Sequence, residues 1–238
     1  MAFKFNYCNG RIEKTDFGFK RLCSEDFIKY NIEKRKADWC SHPECSCRQW
    51  YNGEISYKKL ETIWNKDGIC GEADLLTDWT PSAEYTTSTD DWRGRTIKNA
   101  ELGGVCILTA VRPNMDEEAR KIFGVFIIDD IYEGYIEKCG YVKAHIDSKI
   151  ELSVVETNNF NFWDFYRNEN SPKCKWGQGA FRYLYDEQSA QILKKLAEIK
   201  KGTIDEARTE NLLKLFCKSR GIDTSRISEP CGALRRLP

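Results

Sequence analysis

The chain has 238 residues, of which 41% are hydrophobic and 31% are charged, as in an ordinary folded protein. Lysine plus arginine and aspartate plus glutamate number 37 each, so no net charge draws the chain to nucleic acid or to an anionic membrane. Any contact with nucleic acid must therefore rest on a local basic patch.

The first residues lack the apolar core of a signal peptide, and no stretch approaches the roughly 20 apolar residues that span a bilayer. We therefore expect a cytoplasmic protein without a membrane partner. It has 11 cysteines, which is not an even number, and the chain is longer than typical disulfide-rich secreted domains. They are expected to be reduced thiols that act as ligands or as small buried apolar groups.

The region 1–90 contains six of the cysteines and few uninterrupted apolar runs. It is expected to lack enough apolar interior to close a core by side-chain packing alone, so a metal would help it fold. Helices are predicted over 25–36 and 56–66 by their apolar spacing. The polar stretch 80–91 is typical of a loop or linker.

From residue 104 the pattern changes to short β-branched and aromatic runs separated by turn residues. Strands are predicted in five such runs: 104–111, 122–131, 141–146, 150–155 and 179–185. A brief helical turn is predicted at 115–121. Most of these runs are too close together for crossover helices, which predicts an α+β fold with a mixed, mainly antiparallel curved sheet or small barrel and flanking helices.

Two helices are predicted near the carboxyl end. Asp186 occupies an N-cap position, Ile192, Leu193, Leu196 and Ile199 form an apolar stripe, and Gly202 ends the helix. A second helix is predicted at about 204–219, ended by Gly221. The segment 203–238 is thus expected to be a carboxyl-terminal helix and tail.

A metal centre is predicted from three thiols that fall within eight residues, at Cys40, Cys45 and Cys47, with Pro43 bending the loop between them. Three sulfurs so close can converge on one ion, which favours the thiolates and links binding to folding. A tetrahedral site needs a fourth ligand. The candidates share a thiol or imidazole group in the first 90 residues: Cys23, which we favour, Cys8, Cys70 and His42.

The identity of the metal is left open by this spacing. A zinc ion is the leading prediction, but a [4Fe–4S] cluster also takes four cysteines from irregular loops. The alternative is that these are reduced structural thiols without a metal. Cys106, in an apolar strand, and Cys217, on an apolar helix side, are predicted to be core residues.

A second candidate site combines aromatic and basic residues. The segment 160–183 places eight aromatic residues among four cations, and residues 91–95 repeat the combination in Trp92, Arg93 and Arg95. Aromatic rings can stack on bases while cations contact phosphates. Trp92, Trp163 and Trp176, with Arg182, are the candidates for a ligand pocket. Phe160, Phe162, Phe165 and Phe181 are expected to fill the core instead.

The order of these elements resembles the PUA-like barrels, especially the EVE and YTH modules. The resemblance covers about residues 90–200 and rests on a Trp–Arg–Gly loop, the strand GVCILTAV, then FGVFIIDDI, YVKAHI, Trp-containing loops and a closing strand and helix. It implies a PUA-like domain over 91–202. It also implies that Trp92, Trp163 and Trp176 would form an aromatic cage for a modified or flipped base.

An enzymatic function has less support in the sequence. Only two histidines are present, which leaves little material for a histidine-activated nucleophile. Glu72, Asp74 and Asp78, or Asp129 with Asp130, could place carboxylates for a divalent metal as in nucleases. No phosphate-binding GxxxxGK[ST] loop and no GxGxxG motif after a strand is found.

The leading prediction is therefore a module that binds DNA or RNA and contains a structural metal. It would recognise a base through an aromatic pocket, and the resemblance implies that this base is modified. A nucleic-acid hydrolase that uses Glu72, Asp74 and Asp78 is the first alternative. A protein-interaction module without a ligand pocket is the second.

Overall fold

The computed structural model describes residues 1–68, 70–83, 95–135, 138–166, 173–177 and 179–232. The fold is α+β, with helices flanking a curled mixed sheet that forms a half-barrel. The strands are β1 (Ala2–Asn6), β2 (Val105–Val111), β3 (Lys121–Tyr132), β4 (Tyr141–Ala144), β5 (Ile150–Glu151) and β6 (Phe181–Arg182). The helices are α1 (Glu25–Glu33), α2 (Asp38–Ser41), α3 (Ser46–Tyr51), α4 (Tyr57–Asp67), α5 (Leu75–Asp78), α6 (Val154–Asn158), α7 (Asp186–Ile199) and α8 (Glu206–Arg220).

The sheet is ordered β4-β3-β2-β1-β6, and β5 also pairs with β3. Only β1 and β2 are parallel, with Phe3 opposite Leu108, while the other pairs within the described strands are antiparallel. Strand β2 is buried along nearly its whole length, which explains why it is a continuous apolar run. Register shifts in β2 and β3, at Leu108/Thr109 and at Ile128/Asp130, mark irregularities of the kind that bends and curls a sheet.

Alternate residues of β2 contribute to two hydrophobic cores on opposite faces of the sheet. One core joins β2 and β3 to the amino-terminal region, where Phe19 stacks on Phe123 with ring centroids 4.1 Å apart. Phe17 packs on the same ring. The amino-terminal region therefore shares the core of the sheet, so its apolar residues do not have to close a core of their own.

The other core lies between the sheet and the two carboxyl-terminal helices. Ile192, Leu193 and Leu196 of α7 are fully buried in it, as their spacing predicts. Helix α7 starts at Asp186 and not after it, so Tyr185 is the N-cap, and its backbone N–H donates to the side chain of Gln188. Gly221 ends α8 with a φ of 66°.

The strand predictions at 104–111, 122–131 and 141–146 are confirmed, with ends displaced by a few residues. The strand predicted at 150–155 is wrong beyond Glu151. There, Ser153 and Glu156 form a capping box that starts α6, and this local hydrogen bonding outweighs the β-branched character of the valines that follow. The run 179–185 contributes only the two residues of β6, and the turn at 115–121 is a 3₁₀ helix at Glu117–Ala119.

Strand β1 was not predicted from the sequence, although it is central to the sheet. It lies within the predicted region 1–90, whereas its partners β2 and β6 both come from the predicted region 91–202. Among the helices of the described ranges, none has the length and apolarity that crossing a membrane requires.

Candidate metal centre and basic cleft

Six cysteines of the first 70 residues come together on one side of the sheet. Cys8 follows β1, Cys23 precedes α1, Cys40 lies in α2, Cys45 and Cys47 lie at the start of α3, and Cys70 follows α4. Five of them belong to or pack against the core that contains Phe123, and the sixth, Cys70, interacts electrostatically with the others. Segments that are far apart in sequence therefore deliver thiols to one place.

Cys8 and Cys23 form one close pair. The thiol of Cys23 donates to the sulfur of Cys8 across 3.4 Å, and the backbone N–H of Gly10 donates to the same sulfur. The two loops are pressed together so closely that a Cβ at Gly10 would lie 1.7 Å from the carbonyl oxygen of Arg21. Only glycine at position 10 allows this approach.

Cys45 and Cys47 form a second pair. The thiol of Cys47 donates a hydrogen bond that lowers the pKa of Cys45 to about 6, and the backbone N–H groups of Arg48 and Cys47 add to this effect. The same hydrogen bond, together with burial, raises the pKa of Cys47 well above its usual range. Cys45, at the N-cap of α3, is therefore the thiol of this pair that ionises more readily.

Cys40 and Cys70 interact electrostatically with thiols of both pairs. Burial raises the pKa of Cys40 to about 12, with Cys45 and Glu72 adding to the rise and Arg35 opposing it. Burial also raises the pKa of Cys70 well above its usual range, although the residue as a whole keeps some exposed surface. Neutral thiols at these two positions need a cation nearby before they can ionise.

This set of donors is chemically suited to a thiophilic metal. Thiolates bound to zinc at about 2.3 Å lie about 3.8 Å from one another, close to the 3.4 Å that separates Cys8 from Cys23. The six cysteines of the cluster form no disulfides. Across the described ranges, however, no three Cys, His, Asp or Glu side chains are already arranged to hold an ion. The metal, and its four predicted ligands Cys23, Cys40, Cys45 and Cys47, remain predictions.

A basic cleft lies next to the cysteine cluster, with a volume of about 340 Å³. Its walls are the end of β1, helix α1 with the turn after it, and the connection from β2 to β3. It is lined by residues of these three segments: Lys4, Phe5, Asn6, Tyr30, Arg35, Val111, Arg112, Pro113, Asn114, Met115, Glu117 and Arg120. Four of them are cations and one is an anion.

The anion pairs directly with one of the cations. Glu117 accepts two hydrogen bonds from Arg120, at 2.5 and 2.8 Å. Within the described part of the chain, no carboxylate lies at ion-pair distance from Lys4, Arg35 or Arg112. The cleft therefore has an excess of positive charge.

The three remaining cations are held by neutral groups. Arg35 donates to the side-chain oxygen of Asn6 at 2.5 Å, and Lys4 donates to a backbone carbonyl at 3.4 Å. The Nε atom of Arg112 is buried without a hydrogen-bond partner among the described residues, and its guanidinium lies over the ring of Phe17. Burial and the nearby charge of Arg120 lower the pKa of Lys4. An anion entering the cleft would relieve these costs.

One residue connects the cleft to the cysteine cluster. The side chain of Asn6 accepts from Arg35 and donates to Glu72 at 3.3 Å, and Glu72 acts electrostatically on both Cys40 and Cys70. The two candidate sites are thus neighbours, although the residues that form them are widely separated in sequence.

The residues predicted to form an aromatic pocket lie elsewhere. Trp92 and Arg93 fall outside the described residues. Trp163 and Trp176 are 4% and 3% exposed and both pack against Phe162 in the second core. Their position there is that of core residues, and their predicted role in ligand binding stays untested.

The two predicted arginines that the structure describes approach each other near a glycine loop. A Cβ at Gly179 would lie 3.2 Å from Arg182 and 3.8 Å from Arg95. Arg182 also lies over the ring of Trp176, and Arg120 of the cleft lies over the same ring, 4.8 Å from its centre. The predicted basic residues therefore border the cleft through Trp176.

Sequence reasoning missed Lys4, Arg35, Arg112 and Arg120 as site residues. They are single cations in four unrelated segments, and no local pattern distinguishes them from the other basic residues of the chain. A pairing of β1 with β2 would have been needed to bring Lys4 near Arg112.

The carboxylates considered for a nuclease point to different partners. Asp74 accepts a hydrogen bond from the indole of Trp64 at 3.1 Å, whereas Glu72 accepts from Asn6. Burial and the nearby Asp78 raise the pKa of Asp74. Asp129 and Asp130 are exposed on β3.

No family model, curated protein or solved structure matches the chain. The resemblance to PUA-like, EVE and YTH modules is accordingly neither supported nor refuted. What can be said of function comes from the geometry of the cleft and of the cysteine cluster.

Proposed function

We propose that the protein binds nucleic acid, that the basic cleft receives one nucleotide of a strand, and that the cations of the cleft contact phosphates along that strand. The observation that supports this is the set of three cations, Lys4, Arg35 and Arg112, without carboxylate partners among the described residues. Guanidinium and ammonium groups in a concave site are the usual means by which proteins hold phosphates.

The size of the cleft favours a single nucleotide. A volume of about 340 Å³ is near the lower end of the range for small-ligand sites and is too small for a duplex. The ring of Tyr30 lies on one wall, and its hydroxyl donates to the side chain of Asn114 on another. We therefore expect single-stranded DNA or RNA, or a nucleotide extruded from a duplex, modified or not.

We also propose that the cysteine-rich region binds a zinc ion, or alternatively a [4Fe–4S] cluster, as a structural element. Cys23 directly precedes Ser24, the N-cap of α1. A metal bound there would anchor the helix that supplies Tyr30 to the cleft. The metal would thus help to form the nucleic-acid site without taking part in chemistry.

The test is fluorescence anisotropy of labelled single-stranded and duplex oligonucleotides, modified and unmodified, with Mg²⁺ present. We expect the holoprotein to retain single strands more tightly than duplexes. Arg112→Gln should weaken binding several-fold, because it removes a phosphate contact. Lys143→Gln is the matched control, since Lys143 is an exposed cation on β4, away from the cleft; its affinity should equal that of the wild-type protein.

The same assay separates the alternatives. Cutting of the labelled strand would favour a nuclease, and binding of no oligonucleotide would favour a protein-interaction module. Equal weakening by Arg112→Gln and Lys143→Gln would mean that binding is a general effect of surface charge, and the cleft would lose its assigned role.

A further inference from the structure

The cations of the basic cleft account for the binding of phosphates but not for the binding of a base. We infer, building on the proposed binding of nucleic acid, that the base stacks on the ring of Tyr30 and that Asn114 positions this ring. The cleft would then favour strands that carry bases, with little dependence on their sequence.

The ring of Tyr30 is supported by Phe27, which lies one turn earlier on α1. Their rings stack with centroids 5.6 Å apart and an angle of 20° between the planes. Phe27 is itself buried and makes an edge-to-face contact with Tyr7, so its ring is held by the core. Tyr30 is half-buried and lines the cleft, so part of its ring remains open to a ligand.

The turn between β2 and β3 gives the ring a second support, because the hydroxyl of Tyr30 donates to the side-chain oxygen of Asn114 at 3.2 Å. The backbone N–H of Met115 closes this turn by donating to the carbonyl of Arg112, also at 3.2 Å. Pro113 and Asn114 are the central residues, and Asn114 has a φ of 61°. This is the pattern of a type II turn, whose third residue needs a positive φ. A ring held at both ends loses little freedom when a base stacks on it.

The cleft has a second aromatic ring, Phe5, but the core occupies more of its surroundings. Phe5 stacks on Phe3 at 6.2 Å and makes an edge-to-face contact with Phe123 at 6.5 Å. Both of these partners are fully buried. Among the described residues, the ring pairs of Tyr30 involve Phe27 alone. Tyr30 is therefore the less engaged of the two rings and the better placed to receive a base.

An aromatic ring beside cations is a combination that proteins use to bind single strands. Every base has a π-face, so stacking on Tyr30 tolerates any sequence, while Lys4, Arg35 and Arg112 line the same cleft and are available to the phosphates. Loss of a stacking ring weakens the binding of a strand roughly 5- to 150-fold. The contribution of the base is therefore large enough to be measured apart from that of the phosphates.

The experiment compares two labelled single strands of equal length and charge by fluorescence anisotropy, one with ordinary bases and one with abasic sites throughout. The wild-type protein should bind the base-bearing strand roughly 5- to 150-fold more tightly. Tyr30→Leu should bind both strands about equally, with the wild-type affinity for the abasic strand, because its phosphate contacts are intact. Tyr30→Phe keeps the ring and should keep most of the preference. Tyr135→Leu is the matched control and should keep the wild-type ratio, since Tyr135 is exposed and follows β3, whereas Arg120 of the cleft precedes it.

The positioning role of Asn114 is tested by Asn114→Gly, because glycine adopts the positive φ of the turn and removes only the side chain. Asn114→Gly and Tyr30→Phe break the same hydrogen bond. The double variant should therefore bind the base-bearing strand no more weakly than either single variant. Additive losses would show that Asn114 does not act through Tyr30.

The outcomes separate the role of Tyr30 from the proposed function. Equal binding of the two strands by the wild-type protein would overturn the role of Tyr30 and leave phosphate binding by the cleft in place. A Tyr30→Leu variant that is folded by circular dichroism and keeps the wild-type ratio would overturn it as well. Binding of neither strand would overturn nucleic-acid binding itself, and the role of Tyr30 with it.

Discussion

The salt dependence of oligonucleotide binding tests the cleft quantitatively. If Lys4, Arg35 and Arg112 each neutralise one phosphate of a single strand, each contributes about −0.7 to the slope of log affinity against log salt. The wild-type slope should then be about −2, so that affinity falls about 16-fold between about 50 mM and about 200 mM salt.

The perturbation is Arg112→Gln, which removes one of the three cations and keeps a polar side chain of similar reach. Its slope should fall in magnitude to about −1.4, so that affinity falls only about sevenfold over the same range. Arg112 is the most informative choice because its Nε atom lacks a hydrogen-bond partner within the described residues. Glu117, the carboxylate of the cleft, is already paired with Arg120.

The assay is anisotropy of a labelled single strand at five or more salt concentrations, with circular dichroism to verify that the variant is folded. The control is Lys143→Gln, which should keep the wild-type slope. An unchanged slope for Arg112→Gln would refute the assignment of this side chain to a phosphate. A wild-type slope far steeper than −2 would show that cations beyond the cleft dominate the contact.

Three further changes probe the core, the ion pairs and the connection between the sites. Trp176→Ala should lower the free energy of unfolding by about 3–5 kcal/mol in urea denaturation, because the ring is only 3% exposed; normal stability with lost binding would instead place Trp176 in a ligand pocket. Burial alone would raise the pKa of Glu156, but hydrogen bonds, led by the one from Lys200, lower it. The stability that this pair contributes is therefore present above about pH 4.5 and is lost as the pH falls through the folded-state pKa of Glu156. Glu156→Gln should therefore flatten the decline in urea midpoint between about pH 5 and about pH 3, and an identical decline in both proteins would contradict this account. Asn6→Ala should weaken oligonucleotide binding roughly 3- to 10-fold, because Arg35 loses the hydrogen bond that orients it; affinity equal to that of the wild-type protein would show that Arg35 is positioned by other contacts.

Local patterns were sufficient where neighbouring residues decide the structure. The apolar run 104–111 predicted β2, the spacing of Ile192, Leu193 and Leu196 predicted the buried face of α7, and Gly221 predicted the end of α8. The short spacing between the strand candidates likewise predicted the α+β class, and Cys106 and Cys217 are the core residues that their apolar surroundings indicated. These features depend on side-chain periodicity and on caps, which act over a few residues.

Tertiary structure decided the features that join distant segments. Strand β1 exists as a central strand because β2 and β6 supply its hydrogen-bond partners, more than a hundred residues away. Pairing of β1 with β2 also brings Lys4 to Arg112, and so forms the cleft. No periodicity within five residues contains that information.

The cysteines show the same division. Sequence alone identified a reduced, thiol-rich region and drew attention to Cys40, Cys45 and Cys47, because they are neighbours along the chain. Only the folded chain brings Cys8 against Cys23, although fifteen positions separate them in sequence. Metal coordination depends on distance in space, and spacing along a chain indicates that distance only when the intervening loop is short.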